Sequence, residues 1–225
     1  MPVPKIPITL TNDRRFLHDQ AFAQIRTRIQ DGTYEPGVKL DDSLIAEEIG
    51  TSRGPVRIAL GRLAEYGLVE SSANRYTRVS VPRLELFVPG IQVVLALWKL
   101  GIDLVVPRID GEAIARLRLL LLALEASLAN PESMDRRTVI AAFDDLILFF
   151  SHESANPFLV DALDRNLTAV SHIARNVNLP LNDERLQAFI GSFGSAVAQH
   201  DVAAGHNAID QLLPVATVFV EQELS

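Results

Sequence analysis

The sequence of 225 residues contains no cysteine, which excludes disulfides and thiolate metal sites and fits a reducing compartment. It also lacks a long uninterrupted apolar run. The stretch "MPVPKIPITLTNDRRF" holds no apolar core of signal-peptide length. The most apolar window, "GIQVVLALWKLGIDLVV", is broken by Lys99 and Asp103 and is shorter than the roughly 20 residues a bilayer requires. It reads as a buried helix, and the expected location is the cytoplasm, with no membrane partner. Internal repeats and low-complexity segments are absent as well. What is present is ordinary for a globular chain: 48% hydrophobic and 22% charged residues. The formal charge is −7. Against that acidity one stretch stands out, since the segment from Thr51 to Arg62 carries Arg53, Arg57 and Arg62 and no carboxylate.

Charge divides the chain in two. Up to Pro82 there are 11 Lys+Arg and 10 Asp+Glu, a balance of +1; from Arg83 onward the counts are 10 and 18, a balance of −8, and together they give −7. Pro82 and Pro89 in "VSVPRLELFVPG" interrupt regular structure at the same place. The expected domains are 1–82 and 83–225.

The first part reads as three helices and a hairpin. Phe22, Ile25 and Ile29 recur at helical spacing before the stop signal Asp31-Gly32. Asp41 and Asp42 supply an N-cap and a first-turn acid for a short second helix that Gly50 ends. Ser52 can cap a third helix, whose first turn tolerates Pro55 because its amides have no intrahelical acceptor. The strand-like "GLVES" and "YTRVSV" then flank "SANR", a hairpin tip that presents Asn74 and Arg75. Helix, short helix, helix and hairpin make a winged helix-turn-helix.

On the third helix Val56, Ala59, Leu60 and Leu63 share one side, while Arg53, Gly54, Arg57 and Gly61 share the other. Glycine lets a helix backbone approach another surface closely, and arginine offers a planar fork matching guanine O6/N7 or a phosphate. By itself an arginine pair at i, i+4 is ordinarily a solvated helix face. Arg62 points about 180° away from Arg53, which suits a phosphate contact or an internal ion pair better than base reading.

The run "PGVKLDDSLIAEEIGTSRGPVRIALGRLAEYGLVE" resembles the DNA-binding domain of the GntR family of bacterial transcription regulators, over roughly Phe22 to Val81. The family pattern of serine-arginine-x-proline-valine-arginine falls on Ser52, Arg53, Pro55, Val56 and Arg57. Gly54 stands where the family usually has threonine, and Ser43 where many members carry a charge, so the base preference is this chain's own. The resemblance implies that Arg53 and Arg57, with Gly54 between them, meet double-stranded operator DNA. Thr51, Ser52, Lys39 and Arg62 are then candidates for phosphate contacts, and Asn74 and Arg75 for contacts from the wing.

From about Leu84 the pattern is helix after helix, over 91–106, 111–129, 136–153, 157–178, 183–200 and 202–222, with no strand pattern between them. The expected fold class is mainly α: an N-terminal winged helix-turn-helix and a C-terminal all-α bundle. The segments "SANPFLVDAL", "DGEAIARLRLLL" and "AVAQHDVAAGHNAIDQLL" make the bundle similar to the FCD-type sensor domain of the FadR branch of the same family. Most members of that branch hold a metal between an aspartate, a histidine four residues later and two further histidines. Counted from Asn156-Pro157, those positions fall on Phe143, Ile147, Ile190 and Leu212, and Val94 and Trp98 occupy places where the family often has arginine and glutamate. Four such side chains offer a divalent ion no donor.

The expectation is therefore a sensor without metal or other cofactor, with an apolar pocket around Phe143, Ile147, Ile190 and Leu212. His172 and Arg175 are the polar pair able to grip an acidic group, unless they are a surface pair. A remodelled metal site among His152, His172, His200 and His206 stays open. The function implied is a ligand-responsive, homodimeric DNA-binding regulator. The alternatives are a regulator whose sensor has lost its ligand, and an enzyme, for which no nucleophile-base arrangement or phosphate-binding glycine loop is found.

Overall fold

A computed structural model describes residues 9–72, 76–129, 135–179 and 184–223, with the side chains of 9–16 and 184 left out. The chain separates into two compact units, Met1–Val81 and Pro82–Ser225.

In the N-terminal unit α1 (Thr9–Gln30) buries Ala21, Phe22, Ile25 and Ile29, the stripe its sequence spacing predicts. The stripe packs against α3 (Arg53–Glu65), which buries Val56, Ala59, Leu60 and Leu63. Between them lies α2 (Asp42–Glu48), capped by Asp41, whose carboxylate accepts from the Ser43 and Leu44 amides.

Helices α2 and α3 end with the same device. After α2, Gly50 takes φ +70°, its N–H donates to the Glu47 carbonyl, and the Thr51 N–H reaches back to Ala46. After α3, Gly67 takes φ +70°, and the Leu68 N–H reaches back to Leu63. Both are left-handed glycine stops that satisfy carbonyls the helix leaves over. The first makes the tight turn between α2 and α3. The second sends the chain into β1 (Val69–Ser72), which pairs antiparallel with β2 (Tyr76–Val79) in the register Val69↔Val79. Lys39 adds an isolated bridge to Arg78. The tip of this hairpin, with Asn74 and Arg75, lies outside the described residues.

Among its described residues the C-terminal unit has helices and no strand; the α-helices are α4 (Phe87–Val105), α5 (Gly111–Leu128), α6 (Arg136–Glu153), α7 (Pro157–Asn176), α8 (Glu184–Ala198), α9 (Val202–Asp210) and α10 (Leu212–Glu223). Helix α4 packs against α6, α7, α9 and α10. It begins before the sequence-expected start at residue 91, because Pro89 falls in its first turn, where the missing N–H has no intrahelical partner. The helical stretch Leu84–Arg108 is thereby long and apolar enough to cross a membrane by length and composition, more than the broken window in the sequence conveyed. In the structure its Val94, Leu95, Trp98, Ile102 and Val105 are buried in the core.

The single helix expected over 202–222 is two, α9 and α10, parted at Gln211. Pro214 explains the break: it has no N–H for the Asp210 carbonyl, and its ring would clash there. The centre of the unit is aromatic. The Trp98 ring lies 5.3 Å from Phe193 and 5.8 Å from Phe189, and Phe150 lies 5.5 Å from Phe193. Gly101 lets α4 approach α6 here, since a Cβ at this position would stand 3.1 Å from the Phe150 Cβ.

Candidate functional site

The exposed face of α3 is built by turn chemistry on both sides. Ser52 stands at the N-cap with an extended backbone and makes no side-chain capping bond. Arg53 and Arg57 follow one turn apart, their side chains 58% and 69% exposed. Both converge on one acid, Asp42, in the first turn of α2. Arg53 Nη2 lies 3.0 Å from Asp42 Oδ1, and Arg57 Nε donates to Oδ2 at 2.6 Å. Partial desolvation pushes the Asp42 carboxyl up, but the hydrogen bonds and charges of Arg57 and Arg53 outweigh it and hold the group below the usual carboxylate range. The acid that the Thr51–Arg62 stretch lacks thus comes from the neighbouring helix. Nothing in the sequence pattern singled Asp42 out for this beyond its place in a first turn.

Gly54 and Gly61 lie on the same face, and a Cβ built at either would meet nothing within 4 Å. Internal packing therefore does not require glycine there, although each costs a helix about 1 kcal/mol against alanine. Ile58, 46% exposed, lies at the edge of this face, between Gly54 and Arg62 on the helix wheel, and the sequence reading does not single it out. Lys39 is exposed and Thr51 half-buried.

Arg62 is placed elsewhere. Its Nη1 donates to Asp19 at 2.6 Å, and its guanidinium lies 4.3 Å from the Phe22 ring centroid. The structure does not bring it to the Arg53–Arg57 face, because nine residues along a helix turn it onto α1.

The C-terminal unit holds a cavity of about 130 Å³ between α4, α6, α7 and α10. Phe87, Val94 and Trp98 line it from α4, Phe143, Asp144 and Ile147 from α6, Val170 and Ser171 from α7, and Leu212 and Val215 from α10. Of the residues expected at an apolar pocket, Phe143, Ile147 and Leu212 are in its wall. Ile190 is buried but does not line it.

The expected His172–Arg175 pair is corrected on two points. Neither residue lines the cavity, and neither is a surface group, since they are 3% and 8% exposed. Arg175 is also already engaged: its Nη2 lies 2.5 Å from Asp144 Oδ2, with side chains 5% and 14% exposed. Ser171 donates to the other carboxylate oxygen. Burial pushes the Asp144 carboxyl above its ordinary range against the pull of Arg175 and Ser171.

The histidines are dispersed. His200 Nδ1 contacts the Val106 carbonyl at 2.9 Å, His206 Nε2 lies 3.0 Å from Asp103, and His152 is exposed. Among the described residues no three His, Cys, Asp or Glu side chains come together as a metal site would require.

Residues 17–79 match the family model for bacterial regulatory proteins of the gntR family. Over 162 residues the chain is 26% identical to YdhC of Bacillus subtilis (strain 168), described as an uncharacterized HTH-type transcriptional regulator, spanning 71% of this chain and 70% of that one. The fold is shared with the solved structure of Escherichia coli McbR/YncC, with a TM-score of 0.76 at 19% identity over 93% of this chain and 99% of that one. It is shared also with a transcriptional regulator GntR from Rhodococcus sp. RHA1, with a TM-score of 0.71 at 20% identity over 91% and 97%.

Proposed function

We infer that this chain, a GntR-family helix-turn-helix transcriptional regulator, binds its operator as a homodimer through the Arg53–Arg57 face of α3 and senses a small molecule in its C-terminal bundle. The observation that carries the DNA reading is the face itself. Two exposed guanidinium groups are held side by side by Asp42, flanked by two glycines that internal packing does not need. A guanidinium fork can read guanine, and Ile58 can rest on a thymine methyl. Ser52, Thr51 and Lys39 bear on phosphates, as do Asn74 and Arg75 from the wing. Two copies of α3 in a dimer enter successive major grooves about 34 Å apart. As a DNA-binding regulator the protein acts in the cytoplasm.

The bundle is read as an FCD-type sensor of the FadR branch that works without a metal. Its support is the cavity between α4, α6, α7 and α10, a position between helices where small-molecule sites are commonly built. A bundle that had lost its ligand would be expected to close such a space, because voids destabilise cores. The relatives are described as regulators, which speaks against an enzyme.

Gel shifts over a genomic fragment library test the DNA reading. Wild-type protein should retain specific fragments and Arg53→Ala should lose them, whereas unchanged retention by the variant would reject the docking of α3. Chelator treatment tests the sensor reading and should leave both Tm and operator affinity unchanged.

A further inference from the structure

The lining of the C-terminal cavity limits what can occupy it. Its volume of about 130 Å³ is close to the roughly 150 Å³ of an engineered apolar cavity that binds benzene. The occupant is therefore a single ring or its aliphatic equivalent. The wall is hydrocarbon from Phe87, Trp98, Phe143 and Ile147, and its polar members are Asp144 and Ser171.

These two offer acceptors. Ser171 spends its hydroxyl hydrogen on one Asp144 oxygen, and Arg175 donates to the other. Each carboxylate oxygen keeps a further lone pair. Two buried donors nearby lack acceptors among the described residues, Trp98 Nε1 and Arg175 Nη1. Neither atom has accessible surface, so an occupant of the cavity does not reach them.

Charge narrows the class again. Asp144 is already balanced by Arg175, and the pair is neutral as a unit. A carboxylate in the cavity would set a second negative charge beside Asp144 away from water. An ammonium would bring a positive charge with no partner left to balance it. Resting on the reading of this unit as a sensor, the geometry points to an effector that is a small, neutral, apolar molecule carrying one hydrogen-bond donor, a phenol or compact alcohol, whose hydroxyl donates to Asp144. This replaces the acidic group that an unengaged Arg175 would have favoured.

A matched series tests it: p-cresol, p-xylene, 4-methylanisole and p-toluate, titrated calorimetrically into the full-length protein. The indole N–H resonance of Trp98, the single tryptophan, is followed in parallel as a reporter in the cavity wall. The expected result is that p-cresol shifts the Trp98 resonance and binds about tenfold more tightly than p-xylene or 4-methylanisole, since a donor to a charged acceptor is the strong kind of hydrogen bond. The p-toluate anion should not bind at the same site. The paired substitution Asp144→Leu with Arg175→Leu should erase the preference for p-cresol over p-xylene. If that variant does not fold, the wild-type series decides alone.

Equal affinity for p-cresol and p-xylene, or tighter binding of p-toluate, would overturn the donor assignment and leave the sensor reading standing. Failure of all four probes to move the Trp98 resonance would overturn both.

Discussion

Each unit contains arginine held by aspartate, and the two arrangements behave oppositely. Arg53 and Arg57 share Asp42 at the surface, with the arginine side chains 58% and 69% exposed. Arg175 holds Asp144 in the interior at 5% and 14%. The exposed arrangement exchanges readily: water solvates both guanidinium groups although Asp42 itself is only 18% exposed, and a phosphate or a guanine edge can take the place of the carboxylate at little cost. The buried pair does not exchange, because removing either partner strands a charge away from water. The same chemistry therefore makes a replaceable clamp on an exposed helix face, the proposed DNA contact, in one unit and a permanent polar feature of a cavity wall in the other.

The comparison breaks most clearly under single substitutions. Asp144→Ala should destabilise the C-terminal unit by about 3–5 kcal/mol by leaving Arg175 uncompensated, measured as a lowered midpoint of chemical denaturation. Asp42→Ala should leave that midpoint unchanged. Replacing both Asp144 and Arg175 with leucine should recover most of the lost stability, since hydrophobic residues of similar volume often serve as well as a buried ion pair.

On DNA the sensitivity reverses. Arg53→Ala should weaken operator binding by about 1–3 kcal/mol with no change in Tm, as expected for loss of a bidentate guanine contact. Fluorescence anisotropy on operator and scrambled duplexes would measure it. In the same assay affinity should fall steeply as salt rises, because arginine-phosphate contacts release counterions.

A smaller effect is expected from Asp42→Ala. Removing one negative charge beside two arginines should raise affinity for scrambled DNA severalfold and narrow the ratio of operator to scrambled binding, because the guanidinium groups are no longer held in place. The smallest effect concerns pH. The folded Asp42 carboxyl lies below its ordinary value of 3.8. The pairing is therefore complete above that value and is lost only as pH falls through the lower folded one. Between about pH 5 and about pH 8 the ratio of wild-type to Asp42→Ala affinity should stay flat on this account.

Local pattern made much of the molecule legible in advance. The apolar stripe of α1, the Asp41 cap, the stop at Gly50, and the division of α3 into a core side and an arginine side all depend on residues within a turn or two of one another. The elements of the winged helix-turn-helix follow from them. Prolines within a helix are less legible, because their effect depends on which turn they occupy. Pro89 reads as an interruption in the sequence but lies inside the first turn of α4, and Pro214 in the first turn of α10 divides it from α9.

What the sequence by itself determined is periodicity: which residues share a helix face, where a helix begins and ends, and that Phe143 and Ile147, one turn apart, present hydrocarbon in the same direction. What only the tertiary structure decided is pairing across distance. Asp42 meets arginines 11 and 15 residues further on, Arg62 turns back to Asp19 across 43, and Asp144 is joined to Arg175 across 31. The physical reason is that helical spacing specifies the direction of a side chain but not what stands opposite it. Coulomb attraction and desolvation act on whichever groups the packing of helices brings within reach, so the same arginine and aspartate become a surface clamp or a buried pair according to where the chain folds them.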